Sequence, residues 1–270
     1  MNTKSDQRAG DAGPLSLNGS PVGAAVPVAQ TREVWRLVPE TENDKPERRF
    51  VALSPIVGEG HGTFVYGSTS PYARDNKQAD SCDVARSESA GLPAPMTHFY
   101  AAQLRPVFDD GLDSRVGVFD DLQYIRLRRV LHAGLSLGKG TFRKPGAPAG
   151  SWRGRIVEVR ESSTVGDWAR YGVVVTGHAH SAHQYYQALV PIFGSDPEQN
   201  QESDIEIREG SLCRLIGKEI QCVVLSPSLV FSVFQRDELE AVTRGHLDED
   251  VMDKVDAALA VHLNCAEPIR

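Results

Sequence analysis

The run LSPSLVFSVFQRDELEAVTRGHLDEDVMDKVDAALAVHL, from Leu225 to Leu263, holds the sharpest change of hydrophobic period in this chain. Val223 to Phe234 is rich in Val, Leu and Phe, is interrupted by Pro227, and predicts strand. Gln235 to Val242 mixes polar and apolar residues and predicts a strand end or a short turn of helix. From Val251 the spacing becomes helical, with Val251, Met252, Val255, Ala258, Leu259 and His262 on one face. Asp248 stands at the N-cap, and Glu249 and Asp250 sit in the first turn against the positive helix end. Leu247 before the cap is placed to pack on Met252 as a hydrophobic staple.

A chain of 270 residues has room for one large or two small domains, and 40% hydrophobic content supports real cores. The formal net charge of −7 excludes a global basic field, though not a local basic groove. No run approaches the length of apolar sequence that a membrane helix needs. Gly23 to Val28 is too short and too rich in small residues for a signal-peptide core. Cys82, Cys213, Cys222 and Cys265 lack CxxC spacing and read as reduced thiols of a cytoplasmic protein.

Residues 1–30 are Gly, Ser, Ala, Pro and Asn with scattered charge, and predict a disordered tail. Glu33 to Val38, Arg49 to Leu53 and Thr63 to Thr69 read as strands. Residues 71–97 carry Pro71, Asp75-Asn76, Gly91, Pro93 and Pro95 and predict a long loop. Thr97 to Val107 is strand-like, Asp109 to Ser114 is a turn, and Asp120 to His132 carries Leu122, Ile125, Leu127 and Leu131. Residues 142–151 lie in a Gly/Pro/Lys-rich linker. After it the pattern begins again, with strands at Gly154 to Val159, Arg170 to Val175, Tyr186 to Phe193 and Ile220 to Leu225. The chain thus reads as two units of like order, 31–141 and 152–264.

Several of these stretches resemble the MazF/PemK toxin family. The closing strand, Leu247-Asp248 and the final helix look like the family's C-terminal end. Arg170-Tyr171-Gly172-Val173-Val174-Val175 and Leu189-Val190-Pro191-Ile192-Phe193 resemble its Arg-Pro-Val-Leu-Val and Val-x-x-Ile-Thr strands. Arg49-Phe50-Val51-Ala52-Leu53 and Phe64 to Thr69 do the same in the first unit. The resemblance implies a mainly β fold with minor α: two SH3-like small β-barrels of the CcdB/MazF type in tandem, with a C-terminal amphipathic helix. Such toxins pair as homodimers with an RNA groove across the dimer face, so two units in one chain imply a covalent pseudo-dimer.

The family cleaves single-stranded RNA without a metal or other cofactor, by attack of a ribose 2′-oxygen on the adjacent phosphorus. An arginine suits the stabilising role, because its planar charged fork matches a phosphate. By match of position the catalytic candidates are Arg49 and Thr69 in the first unit and Arg170 in the second. Phe50 and Tyr171 stand where the family has proline. Phe193 stands at the second threonine position and has no polar atom. Arginines at strand starts are equally surface residues. His178, His180 and His183 form H-A-H-S-A-H in a loop-like context, and His183 is a candidate phosphate donor or base. His61 lies in the glycine-rich 58–62 stretch, where the family places an RNA-contacting loop. Arg126, Arg128 and Arg129, with Lys139, Arg143 and Lys144, are the most basic region, either a solvated face or a phosphate-contacting patch. The resemblance implies a toxin-antitoxin endoribonuclease with RNA and an antitoxin as partners. The alternative is a catalytically inactive module that binds a protein partner or serves as a structural subunit.

Overall fold

The computed structural model describes residues 27–39, 48–58, 60–69, 81–137, 152–160, 169–177, 186–194, 204–208, 213–214, 222–234 and 239–266. The expected tail up to residue 26, the 142–151 linker, and Lys139, Arg143 and Lys144 lie outside them. The fold is mainly β with minor α. The first half runs β1 (Pro27–Ala29), β2 (Glu33–Leu37), β3 (Arg49–Ala52), β4 (Ile56–Val57), β5 (His61–Ser68), β6 (Ser81–Ser87), β7 (Leu92–Phe108), β8 (Leu112–Val118) and α1 (Asp121–Gly134). The second runs β9 (Arg155–Val159), β10 (Tyr171–Val174), β11 (Tyr186–Gly194), β12 (Ile205–Ile207), β13 (Val223–Leu225), β14 (Phe231–Phe234), β15 (Leu239–His246) and α2 (Glu249–His262). β1 pairs with β4, so ordered chain begins before residue 31.

Two corrections follow. The loop expected over 71–97 is, from Ser81, the antiparallel hairpin of β6 and β7. Pro93 and Pro95 misdirect the reading. They occupy the part of β7 that pairs with β6 alone, before β5 joins at His98 and Phe99, so their missing N–H groups cost no bond on the open side. Of the turn expected over Asp109 to Ser114, only Asp109–Gly111 is a 3₁₀ turn and Leu112 to Ser114 belong to β8, while Asp121–Gly134 is a helix.

The first sheet has the order β6-β7-β5-β3-β2-β8, and the second the order β12-β13-β11-β10-β9-β15, with β14 also on β11. The orders correspond strand for strand once β13 and β14 are set against β7. β7 pairs with β5 in two registers, shifted between Val65 and Gly67. In the second sheet the Pro227–Leu229 3₁₀ turn separates the strands that make those two pairings with β11.

The bends correspond as well. Arg32 N bonds Ala52 O at 2.9 Å, and Gly154 N bonds Val174 O at 2.8 Å. Arg32 (φ 75°) and Gly154 (φ 78°) both take the left-handed conformation. Phe119 N reaches Arg32 O and Leu247 N reaches Gly154 O, each at 2.9 Å. The helices end alike: Leu137 N bonds His132 O and Cys265 N bonds Ala260 O, around left-handed Ser136 (φ 53°) and Asn264 (φ 54°). Their starts differ in one respect. Asp120 makes a capping box with Gln123, whereas Asp248 holds the cap position without a side-chain bond.

The largest core cluster belongs to both halves. Val34, Val51, Val65, Phe99, Leu127 and Leu131 join Val173, Val190, Leu225, Val255 and Leu259 in it. Two smaller clusters, around Phe50 and Phe64 and around Leu189 and Phe231, lie within single halves. At the seam Ser232 Oγ donates to Ala102 O and accepts from Leu104 N. Gly177 N bonds Gly134 O at the end of α1, and His262 at the end of α2 meets Thr63 Oγ1, at 2.7 Å in each case.

Candidate functional site

Directly opposed residues in an antiparallel ladder share a face. Across β5, β7 and β6, Ser68 faces His98 and His98 faces Asp83. Arg49 faces Gly67, so Arg48 lies one step past the ladder's end, beside Ser68. Arg48 places its guanidinium 5.7 Å from the centre of the Tyr66 ring, on the face that Ser68 shares. The His98 ring lies 6.4 Å from Tyr100, and its Nδ1 is 2.8 Å from Asp83 Oδ1. Cys82, Thr97 and Phe99 alternate with these residues and are buried, which holds the strands beneath the polar row.

The second half has the same row with other side chains. Phe193 faces Val224, Val224 faces Glu206, and Arg170 lies one step past Tyr171, which faces Ile192. The row Arg48, Ser68, His98, Asp83 therefore corresponds to Arg170, Phe193, Val224, Glu206. This register shifts two equivalences by a residue: Arg170 corresponds to Arg48, not to Arg49, and Phe193 to Ser68, not to Thr69.

Arg49 is half-buried and donates from Nε to Gly91 O and from Nη1 to Arg48 O, both at 3.0 Å. Gly91 (φ +62°) sits where a Cβ would strike Val116 O, so Arg49 braces a tight turn. Arg170 is mostly exposed. It holds the buried Glu158 carboxylate through Nε and Nη2 at 3.0 Å each and lies 5.6 Å from the Tyr171 ring centre. Thr69 is exposed just beyond β5. Arg49 is thus in the first sheet, Thr69 borders it and Arg170 borders the second.

His61 is the first residue of β5 rather than part of the preceding turn, and its ring packs 5.5 Å from Phe108. Burial pushes its imidazole below the usual value, while the Ser228 backbone and the Asp204 carboxylate act the other way. His262 is pushed down to about 4 by burial and by the charge of His61. These two histidines, with Ser54, Thr63 and Ser228, form a polar knot where the halves meet. Arg126 and Arg129 are exposed on α1, and Arg128 is half-buried beside Cys265. His183, with His178 and His180, lies outside the described residues. Among the described residues no group of three His, Cys, Asp or Glu is placed to hold a metal ion. No described helix is long and apolar enough to cross a membrane.

His98 and Asp83 were not among the residues singled out from sequence. The signal was present as alternation in Ser81-Cys82-Asp83-Val84 and Thr97-His98-Phe99-Tyr100, but the prolines between hid the hairpin that joins them.

No family model matches this chain, and no curated protein does. Among solved structures, an endoribonuclease in complex with its cognate antitoxin, from a mycobacterial species, aligns over 43% of this chain and 97% of its own at 16% identity and a TM-score of 0.33. At that score the likeness carries no argument about this chain.

Proposed function

We propose that the chain is a covalent pseudo-dimer of two MazF/PemK-like barrels, 31–141 and 152–264 joined through 142–151, and that it acts in the cytoplasm on single-stranded RNA as a metal-independent endoribonuclease of a toxin-antitoxin or related defence system. The observation that carries this reading is the matched strand order of the two sheets together with the largest core cluster, to which both contribute. A homodimer whose subunits were joined in one chain has that arrangement. On this reading the phosphate-stabilising charge lies in the first half, at Arg48 and Arg49 with Thr69 nearby. Exposed Arg126 and Arg129, and His61 at the seam, are the candidate contacts for the rest of the RNA. The second half has lost its polar row to Phe193 and Val224, and Glu158 already occupies Arg170.

The test is the purified full chain with a panel of end-labelled single-stranded RNAs, in chelator, with product ends mapped. Cleavage leaving 2′,3′-cyclic phosphate and 5′-hydroxyl ends is expected, undiminished by the chelator. RNA left intact across the panel removes the nuclease. A second reading then stands, an inactive module that binds a protein partner such as an antitoxin. The ties of Arg49 to backbone carbonyls and of Arg170 to Glu158 favour it, because both arginines already have structural work.

A further inference from the structure

We propose that His98, oriented by Asp83, is a catalytic base in the first half, taking the proton from a ribose 2′-hydroxyl while Arg48 binds the adjacent phosphate. The inference rests on the RNA reading above and adds the group which that reading lacks, since neither an arginine nor a threonine is a proton acceptor at neutral pH.

The geometry is that of an oriented imidazole. Asp83 and His98 are direct cross-strand partners, and the carboxylate lies 2.8 Å from Nδ1. A carboxylate there keeps the proton on Nδ1 and leaves the Nε2 lone pair as acceptor. Among the described residues Nε2 has no hydrogen-bond partner, and the side chain is 16% exposed, so the ring is held yet reachable. The strand position is rigid, because Thr97 and Phe99 on either side are fully buried. Arg48 over the Tyr66 ring lies on the same face, and Tyr66 and Tyr100 flank the row with rings on which bases can stack.

The second half supplies the internal control. Glu206 keeps the acid of Asp83 and Arg170 keeps the arginine, but Val224 stands in place of the imidazole. An acid and an arginine at the two ends of a row are common surface chemistry. What separates the halves is the histidine between them.

The step balances without an oxidant or a metal. His98 Nε2 takes the 2′-hydroxyl proton, and the 2′-oxygen forms a bond to phosphorus. The bond from phosphorus to the 5′-oxygen breaks, and its electron pair stays on that oxygen, which takes a proton from water. The imidazolium returns its proton to solvent. The products are a 2′,3′-cyclic phosphate and a 5′-hydroxyl.

The test uses the full chain as wild type, His98→Gln, Asp83→Asn and Glu206→Gln, with thermal melts to establish folding. Cleavage of labelled RNA is followed against RNA concentration to separate kcat from KM. In parallel, the His98 imidazole resonance is followed on adding RNA of the same sequence with 2′-deoxy sugars, which binds but cannot react. His98→Gln is expected to lose about 10²–10⁴-fold in rate. Asp83→Asn keeps the shape of the pair but removes the charge that fixes the imidazole tautomer, so kcat is expected to fall with KM unchanged. A purely structural pair would show no such split. Glu206→Gln is expected to cleave as wild type does. Cleavage undiminished in folded His98→Gln, or an unchanged kcat in folded Asp83→Asn, overturns the proposal and leaves the RNA reading standing. A wild type that shifts the His98 resonance with deoxy-substituted RNA yet cleaves nothing overturns the catalytic role and the nuclease together, and one that neither binds nor cleaves removes RNA altogether.

Discussion

The two halves set corresponding strands side by side and diverge in the middle of the row that crosses them. Arg48, Ser68, His98 and Asp83 in the first half become Arg170, Phe193, Val224 and Glu206 in the second. The backbone features around the row do not diverge: the left-handed bend at Arg32 and Gly154, the strand order and the helix endings are kept. Fold and chemistry are therefore under different controls. The fold depends on alternation, bends and a core common to both halves. The row depends on a few side chains outside the shared core, which one half can change while the other retains them.

The largest effect expected from this comparison concerns the shared core. Residues 31–141 or 152–264 made alone would lose the seam at which β7 meets β11 and β14 and would split the core cluster that both halves build. Neither half is expected to behave as a folded monomer. Each should be unfolded or self-associated, as read by circular dichroism and sedimentation. A folded, monomeric half with a cooperative melt would show that the halves are separate bodies.

The next effect lies in one half only. Arg153 is 2% exposed and is ion-paired with buried Asp256, and Thr31 and Arg128 respectively stand at the corresponding positions of the first half. Arg153→Met leaves a buried carboxylate without its partner and is expected to cost about 3–5 kcal/mol. Denaturant unfolding measures it, and a loss near zero would mean the pair is dispensable.

A smaller effect is pH-dependent and belongs to the seam. His262 is held down to about 4 in the folded chain, below its usual value of 6.5. The unfolded chain therefore takes up the proton first. Its neutral form contributes fully above pH 6.5, and that contribution is lost as pH falls from 6.5 toward 4. The shift corresponds to about 3 kcal/mol. His262→Gln, which keeps a polar atom for Thr63, should remove that part of the dependence, leaving the lowered His61, of the same sign, and Asp256, raised to about 6 by burial, of the opposite sign. An unchanged slope would place the titrating group elsewhere.

How much of this could be read beforehand follows from range along the chain. The closing helix was legible because its spacing, its Asp248 cap and its acidic first turn are local, and it runs Glu249–His262. The break at Pro227 in the preceding strand was local too. The β6–β7 hairpin was not, because whether Pro93 and Pro95 are tolerated depends on which neighbours β7 has. The row was least accessible of all. Its members stand at 48, 68, 83 and 98 and meet only through three strand registers, so a one-residue ambiguity between Arg48 and Arg49 could not be resolved from spacing. The register resolves it, since Tyr171 faces Ile192 as Arg49 faces Gly67.

The most direct measurement of the central claim, that the first half alone carries the chemistry, is the rate of RNA cleavage by Arg48→Ala beside Arg170→Ala in the same full chain. Removing one preorganised charged donor at a developing phosphorane costs on the order of 10²–10³ in rate. Arg48→Ala is expected to lose that much, and Arg170→Ala, whose charge is tied to Glu158, to stay within a few-fold of wild type. Equal losses, or a greater loss at Arg170, would contradict the account.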